Sequence, residues 1–310
     1  MKMPLGFRYY ALHAAGTGLL WAVAEATAVR SPQTHGFGSG PGLWGADHPA
    51  GQQGLFLVQS SEGRKSGMLY TEWYYADGII MDNRGGKKIG DHWDSGDWIC
   101  LANPSPQEAH ITLTVFWEDL PPRDHVLTLG AQRARNLGLH GVKGLLEHNK
   151  LYGVRVRSDV PILAQDTRGE YEPDDPVTNA MGSTILTPGP LTEKDKELYY
   201  VDGIILAGGV LEESEWLSVL NPNPVDAHIE LTLFYGRQEP GRYAFTVPAE
   251  RVRTIKMDDL EVVPKNQLFS VKIVSDVPVA AEEVRRAYER GHYSCARSMF
   301  TVMCMPAHFE

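Results

Sequence analysis

The sequence has few cysteines, and their number and spacing exclude two common kinds of stabilised fold. Only Cys100, Cys295 and Cys304 occur among 310 residues. An odd number without paired spacing does not make a disulfide framework, and no Cys-x-x-Cys motif indicates structural zinc. We therefore expect reduced thiols in a cytoplasmic protein.

Long apolar runs and an excess of basic residues are also missing. No run of 18 apolar residues is present, so the sequence predicts no membrane span. Asp and Glu outnumber Lys and Arg by 39 to 29, which gives a formal net charge of −10. A surface of that sign repels a phosphate backbone. Neither a membrane nor a nucleic acid is expected as a partner.

Residues 1–66 lack the features of a good signal peptide. Lys2 and Arg8 precede the stretch 9–24, which contains too many polar residues for the hydrophobic part of a signal. The segment 36–42 is rich in glycine and typical of an irregular arm. We expect an N-terminal extension that either stabilises an oligomer or covers a pocket.

Strand periodicity is frequent, whereas helical periodicity is almost absent. The segment 111–115 alternates apolar residues with threonine, which is the two-residue period of a half-buried strand. Short turns rich in Pro, Gly and Asp separate many such segments. Only 281–290 shows a helical period, and it predicts one short helix or an extended arm. The pattern indicates an all-β fold, either a sandwich or a barrel.

The sequence contains an internal duplication. Each copy opens on an aromatic segment, 73–78 in the first and 198–203 in the second. These two are displaced by 125 residues, and later segments by 118 or 117, so the first copy carries seven extra residues. The later pairs, in order, are 103–104 with 221–222, 109–116 with 227–234, and 158–162 with 275–279. We predict two domains, 67–190 and 191–310, after the extension.

Motifs in both copies resemble a known family. In the second copy the segments 219–222, 226–232 and 275–278 closely resemble the Anabaena sensory rhodopsin transducer family. The Trp-x-x-Ala-Asp-Gly motif at 73–78 looks like that family's first strand. The motif Gln-x-Thr-Arg that ends at Arg168 is similar to its closing motif, with Arg285 at the matching place in the second copy. The likeness spans residues 70–187 and 197–302.

This resemblance implies two tandem antiparallel β-sandwich domains of the sensory rhodopsin transducer type. Members of the family assemble around a four-fold axis, so a tandem chain would form a four-fold-like ring as a dimer, a homo-oligomer of two chains. The fold is also similar to that of carbohydrate-binding proteins. For Arg168 and Arg285 the alternative to a functional role is a salt bridge at a subunit interface.

The seven-residue insertion falls in the segment 91–98, where aromatic and acidic residues cluster. Aromatic faces stack on sugar rings and carboxylates accept hydroxyl hydrogen bonds, so this loop predicts a site for a carbohydrate or a related small polar ligand. The alternative is that Trp98 belongs to the core at a strand start. The predicted ligand-binding residues are Trp73, His92, Trp93, Trp98 and Arg168.

A carbohydrate-active enzyme is the second hypothesis. Glycoside hydrolases use two carboxyl groups, and the candidates here are Glu72, Asp77, Asp91, Asp94 and Asp97. The alternative is that these acids belong to a solvated loop. No metal and no other cofactor is predicted, because no ligand spacing supports a site around His92, Asp94 and His110. The third hypothesis is an oligomeric signalling adaptor.

Overall fold

The computed structural model describes residues 69–80, 95–172, 175–289 and 298–306. All of them fall within one compact unit that spans Ser60–Glu310. The predicted extension 1–66 and the segment 81–94 lie outside the described residues. Seventeen strands and three short 3-10 helices form the described part, which confirms the all-β prediction. No helix among the residues that the structure describes is long and apolar enough to cross a bilayer.

The first eight strands form repeat 1. Their bounds are β1 Tyr70–Ile79, β2 Ser95–Asn103, β3 Ala109–Trp117, β4 Arg123–Leu129, β5 Arg133–Gly138, β6 Leu151–Glu172, β7 Asp175–Ile185 and β8 Thr187–Gly189. Strands β4, β3, β6, β1 and β8 follow one another in the first sheet, and β2 joins β5 to the far half of β6, which also pairs with β7. The 22-residue strand β6 therefore serves both layers of the sandwich.

The remaining nine strands form repeat 2. Their bounds are β9 Glu197–Ile204, β10 Leu211–Asn221, β11 Ala227–Tyr235, β12 Gly241–Val247, β13 Arg251–Lys256, β14 Leu268–Ser275, β15 Ala280–Glu289, β16 Ser298–Met303 and β17 Met305–Pro306. The sheets run β12-β11-β14-β9-β17 and β13-β10-β15-β16. The 3-10 helices are Leu139–Gly141, Glu193–Lys196 and Met257–Asp259.

The two repeats have the same strand register. Val115 pairs with Val154 in repeat 1, and Leu233, which lies 118 residues after Val115, pairs with Val271. The second layers agree in the same way, since β2 lies between β5 and β6 and β10 lies between β13 and β15. The paired strand positions of one repeat therefore have structural counterparts in the other, with β14 and β15 together matching β6.

Alternation builds a separate core in each repeat. Ile111, Leu113 and Val115 point into the core of repeat 1, while Ile229 and Leu231 do the same in repeat 2. Burial of such side chains contributes roughly 1.5–3 kcal/mol each relative to exposure. The strands predicted from two-residue alternation are thus the ones that carry the cores.

The helical period at 281–290 gave a wrong expectation of a helix or arm. Strand β15 covers Ala280–Glu289 and pairs along its length with β10. Several of its charged side chains are buried, and they place polar residues where alternation alone would require apolar ones. The buried members include Glu282, Glu283 and Arg286.

Candidate functional site at the junction of the repeats

Arg168 and Asp77 form a fully buried ion pair at the edge of repeat 1. One guanidinium nitrogen lies 2.7 Å from the Asp77 carboxylate and donates to the Asp77 carbonyl oxygen at 2.8 Å. A second nitrogen donates to the carbonyl oxygen of Ile79 at 3.2 Å. The planar guanidinium therefore holds both the side chain and the backbone of the segment that ends β1.

Asp97 is the second carboxylate beside Arg168. Its Oδ1 lies 3.5 Å from Arg168 Nε, and its Oδ2 accepts hydrogen bonds from the Ile79 N–H at 3.1 Å and from the Tyr152 hydroxyl. Burial raises the pKa of Asp97 to about 6, although Arg168 opposes this shift. The predicted residues Asp77, Asp97 and Arg168 are thus brought together, and their polar atoms are directed at one another.

Repeat 2 completes this network. The Ser218 hydroxyl donates to Asp77 Oδ1 at 2.9 Å, and Arg286 lies 3.8 Å from Asp77 Oδ2. Glu282 Oε2 accepts from the backbone N–H groups of Ala76 and Asp77 at 3.0 and 3.1 Å. The site is therefore a junction between the repeats, because side chains of both satisfy the same segment of β1.

The network contains more acids than bases. The carboxyl groups of Asp77, Asp97, Asp166 and Glu282 share it with the guanidinium groups of Arg168 and Arg286, and all six side chains are buried. Burial raises the pKa of Glu282 to about 8 and that of Asp166 well above its ordinary value. Burying a charged carboxylate raises the free energy of the folded state unless the group is protonated or paired. The junction therefore retains protons at neutral pH.

Apolar side chains surround the polar network at the same junction. One cluster joins the outer faces of β1, β3, β10, β13 and β15. Its buried members are Tyr74, Ala76, Phe116, Leu220, Val252 and Ala280. Gly153 contributes a close approach, since a Cβ built there would lie 3.1 Å from a methyl group of Leu220.

Repeat 2 carries the counterpart of the network in an open form. Arg285 pairs with Asp202 at 3.0 Å, but the Asp202 side chain is 65% exposed. Glu215, the counterpart of Asp97, accepts from the Ile204 N–H as Asp97 does from Ile79. Burial raises the pKa of Glu215 to about 8. The same arrangement of groups is thus fully buried in repeat 1, whereas in repeat 2 Glu215 is buried and Asp202 is exposed.

The other predicted residues occupy different places. Trp73 is a core residue whose indole N–H donates to the carbonyl oxygen of Ile162 at 3.1 Å. Glu72 on β1 has a side chain that is only 13% exposed, and it pairs with Arg157 at 3.3 Å. Trp98 is half-buried on β2 and meets the His140 ring edge-on, with the ring centroids 5.0 Å apart. Asp91, His92, Trp93 and Asp94 lie outside the described residues.

Sequence reasoning missed the residues that repeat 2 supplies. A signal was present in the alignment of the two copies, because the charged Glu282 and Arg286 stand where repeat 1 has Gln165 and Gly169. Charges acquired by one copy inside a strand mark a surface that the other copy uses differently. Among the described residues no cluster of His, Cys, Asp and Glu could hold a metal ion.

These features define a class: a tandem antiparallel β-sandwich protein whose two repeats meet through a buried polar junction. The sequence model of the Anabaena sensory rhodopsin transducer family matches residues 69–181 and 207–301. The chain therefore belongs to that family, which confirms the resemblance and the type of sandwich.

One similar solved structure is titled "Crystal Structure of Thermotoga maritima 1070" and is 22% identical in sequence. The match includes 39% of this chain and 95% of the other chain, with a TM-score of 0.33. The "Anabaena sensory rhodopsin transducer" is 24% identical, covers 31% of this chain and 85% of its own, and gives 0.28. No curated protein matches the chain.

Proposed function

We propose that the chain is an oligomeric adaptor in which the repeats associate head to tail, both within one chain and between two chains. The supporting observation is a contrast between counterpart residues. Ala76 and Phe116 are each 1% exposed at the junction, whereas their counterparts Val201 and Phe234 are 77% and 42% exposed. Exposed apolar residues grouped on one sheet face are typical of an interaction surface.

The contact is heterologous, and this makes a closed ring possible. The outer face of β1, β3 and β6 in repeat 1 packs on the outer face of β10, β13 and β15 in repeat 2. One such contact within a chain leaves one unused face of each kind. A heterologous contact either closes into a ring or propagates as a filament, and the four-fold axis implied by the family favours closure by two chains. The transducer description of the family supports an adaptor role.

The mass of the purified chain in solution tests this proposal. We expect twice the chain mass of 34.4 kDa, and Val201→Glu should reduce it to a single chain because a carboxylate would be buried in the contact. Val126→Glu is the matched control, since Val126 is 72% exposed outside the junction. A wild-type chain that sediments as a monomer at micromolar concentration would contradict the proposal.

A carbohydrate ligand is the second candidate, and one described side chain favours it. Trp98 is half-buried on β2 and contacts the His140 ring edge-on, and an aromatic ring that is not fully buried can stack on a sugar. Calorimetry against a glycan panel, with Trp98→Ala and Trp93→Ala as variants, tests this; heat of binding that both variants leave unchanged would contradict it.

The glycoside-hydrolase hypothesis stays a prediction. Asp91 and Asp94 lie outside the described residues, and Asp77 and Asp97 are enclosed with Arg168 in the junction. Nothing among the described carboxylates favours hydrolysis over the structural role that their contacts give them.

A further inference from the structure

The contact between the repeats contains a tightly packed pair of positions. Gly153 in β6 faces Leu220 in β10, and a Cβ at position 153 would lie 3.1 and 3.2 Å from the two Leu220 methyl groups and 3.0 Å from the carbonyl oxygen of Tyr75 in its own repeat. Leu220 is fully buried. Packed interiors leave little room for an additional side-chain atom. Leu220 therefore favours a glycine opposite, in addition to the limit set by the Tyr75 carbonyl oxygen.

Two faces are left open within the chain: that of β9, β11 and β14 in repeat 2, and that of β2, β5 and the second half of β6 in repeat 1. At the counterparts of Gly153 and Leu220, these faces carry a larger and a smaller residue, respectively. Repeat 2 has Ser270 where repeat 1 has Gly153, and its hydroxyl donates to the carbonyl oxygen of Val201 at 3.3 Å. Repeat 1 has Ala102 where repeat 2 has Leu220, as the pairs Ala102 with Leu163 and Leu220 with Ala280 establish. Inside the chain a leucine thus faces a glycine. On the two open faces a serine stands in place of the glycine and an alanine in place of the leucine.

We infer that this pair of positions determines which faces associate: the open face of repeat 2 selects the open face of repeat 1 from a second chain. The inference rests on the proposed head-to-tail assembly and adds its pairing rule. Ser270 against Ala102 fits, as Gly153 fits against Leu220. Ser270 against Leu220 would overlap, and Gly153 against Ala102 would leave a void.

Both mismatched contacts are therefore disfavoured by packing alone. Overlap in a packed contact costs about 1–3 kcal/mol, which corresponds to roughly tenfold or more in affinity. The repeats consequently alternate around the assembly. Without this rule, repeat 2 of one chain could displace repeat 1 from the Leu220 face of another chain. The chains would then exchange partners instead of closing into a ring.

A size exchange across the contact between chains tests the inference in the full-length protein. Ala102→Leu should clash with Ser270 of the second chain and weaken the dimer about tenfold per contact, or about a hundredfold for a ring that contains the contact twice. Ser270→Gly alone should have little effect. The double variant A102L/S270G should recover an affinity within about tenfold of wild type, because it recreates the pair found inside the chain.

Sedimentation velocity over a range of concentrations measures these dissociation constants. Ser270→Leu approaches the same contact from the other face and should weaken the dimer by a similar factor, so the test does not depend on one variant folding. A wild-type dimer that A102L and S270L leave unchanged, or that A102L weakens without recovery in the double variant, would overturn the pairing rule. A monomeric wild type would instead overturn the proposed assembly itself.

Discussion

At the scale of single residues, the Asp77 side chain in repeat 1 contacts residues of both repeats. Its carboxylate contacts Arg168 from its own repeat and Ser218 and Arg286 from the other. Removing one member of such a buried group leaves an uncompensated charge, which typically costs about 3–5 kcal/mol. The ionic groups of the junction therefore fix how the repeats meet, as well as which residues they bury.

Replacing Glu282 by Gln should weaken the dependence of stability on pH. Burial raises the Glu282 pKa from 4.5 to about 8 in the folded chain, so folding retains a proton that the unfolded chain releases above its own pKa. The contribution of protonated Glu282 to the free energy of unfolding is fully present below about pH 4.5. It is lost as the pH rises to about 8, a loss on the order of a few kcal/mol. The neutral amide should keep the two backbone hydrogen bonds and remove that proton.

Thermal unfolding from pH 5 to 9 measures this effect. Wild type should lose melting temperature over the range, and E282Q should lose less; the slope should not vanish, because the pKa of Glu283 is also raised by burial, to about 9. Glu230→Gln on the exposed side of β11 is the matched control. Equal slopes for wild type and E282Q would contradict the protonated junction.

Some of these residues could be predicted from the sequence, and others could not. Arg168 lies in the motif that resembles the family's closing motif, and Asp77 lies in the aromatic segment that opens the first copy. Glu282 and Arg286 are different, because partners across a junction depend on how two domains dock. Docking leaves no periodicity in either copy, so only the comparison between copies points to them.

At the scale of secondary-structure elements, alternation predicted the strands well wherever one face is apolar. Residues 111–115 satisfy this condition, and they form the centre of β3. Strand β15 does not, because both of its faces are covered and one contributes charges to the junction. A strand buried on both sides loses the two-residue signal, which explains the wrong expectation for 281–290.

The close approach of β6 and β10 leads to a prediction at this scale. Gly153→Ser should destabilise the chain by about 1–3 kcal/mol, because the Leu220 methyl groups and the Tyr75 carbonyl oxygen lie close to the position of the new side chain. Leu220→Ala alone should cost about 2–5 kcal/mol by leaving a cavity. The double variant should lose less unfolding free energy than the sum of the two single losses, since it has the residue sizes of Ser270 and Ala102 on the open faces.

Urea unfolding of the two single variants and the double variant gives the coupling free energy. The backbone of β14 carries Ser270 at the same register, so strand pairing itself tolerates a side chain there. A coupling energy of zero would show that Gly153 is required by its own strand and not by Leu220.

At the scale of the whole molecule, duplication leaves one sheet face covered in one repeat and its counterpart exposed in the other. The sequence alone predicted two copies and an all-β fold, because repeats and alternation are local signals. It did not predict which sheet faces meet, since the same apolar positions are buried in one copy and exposed in the other: Phe116 is buried and Phe234 is not. Only the arrangement of the two repeats distinguishes them.

A thiol crosslink between two chains tests the head-to-tail assembly most directly. Ser218 contacts Asp77 at 2.9 Å inside the chain, and in the proposed assembly the counterpart pair across the chains would be the native Cys100 with Asp202. In the full-length Asp202→Cys variant, mild oxidation or a short bifunctional maleimide should therefore link two chains. Denaturing electrophoresis should then show a covalent dimer at twice 34.4 kDa that is lost in C100S/D202C. A D202C chain that stays monomeric, or that crosslinks equally well without Cys100, would contradict the account.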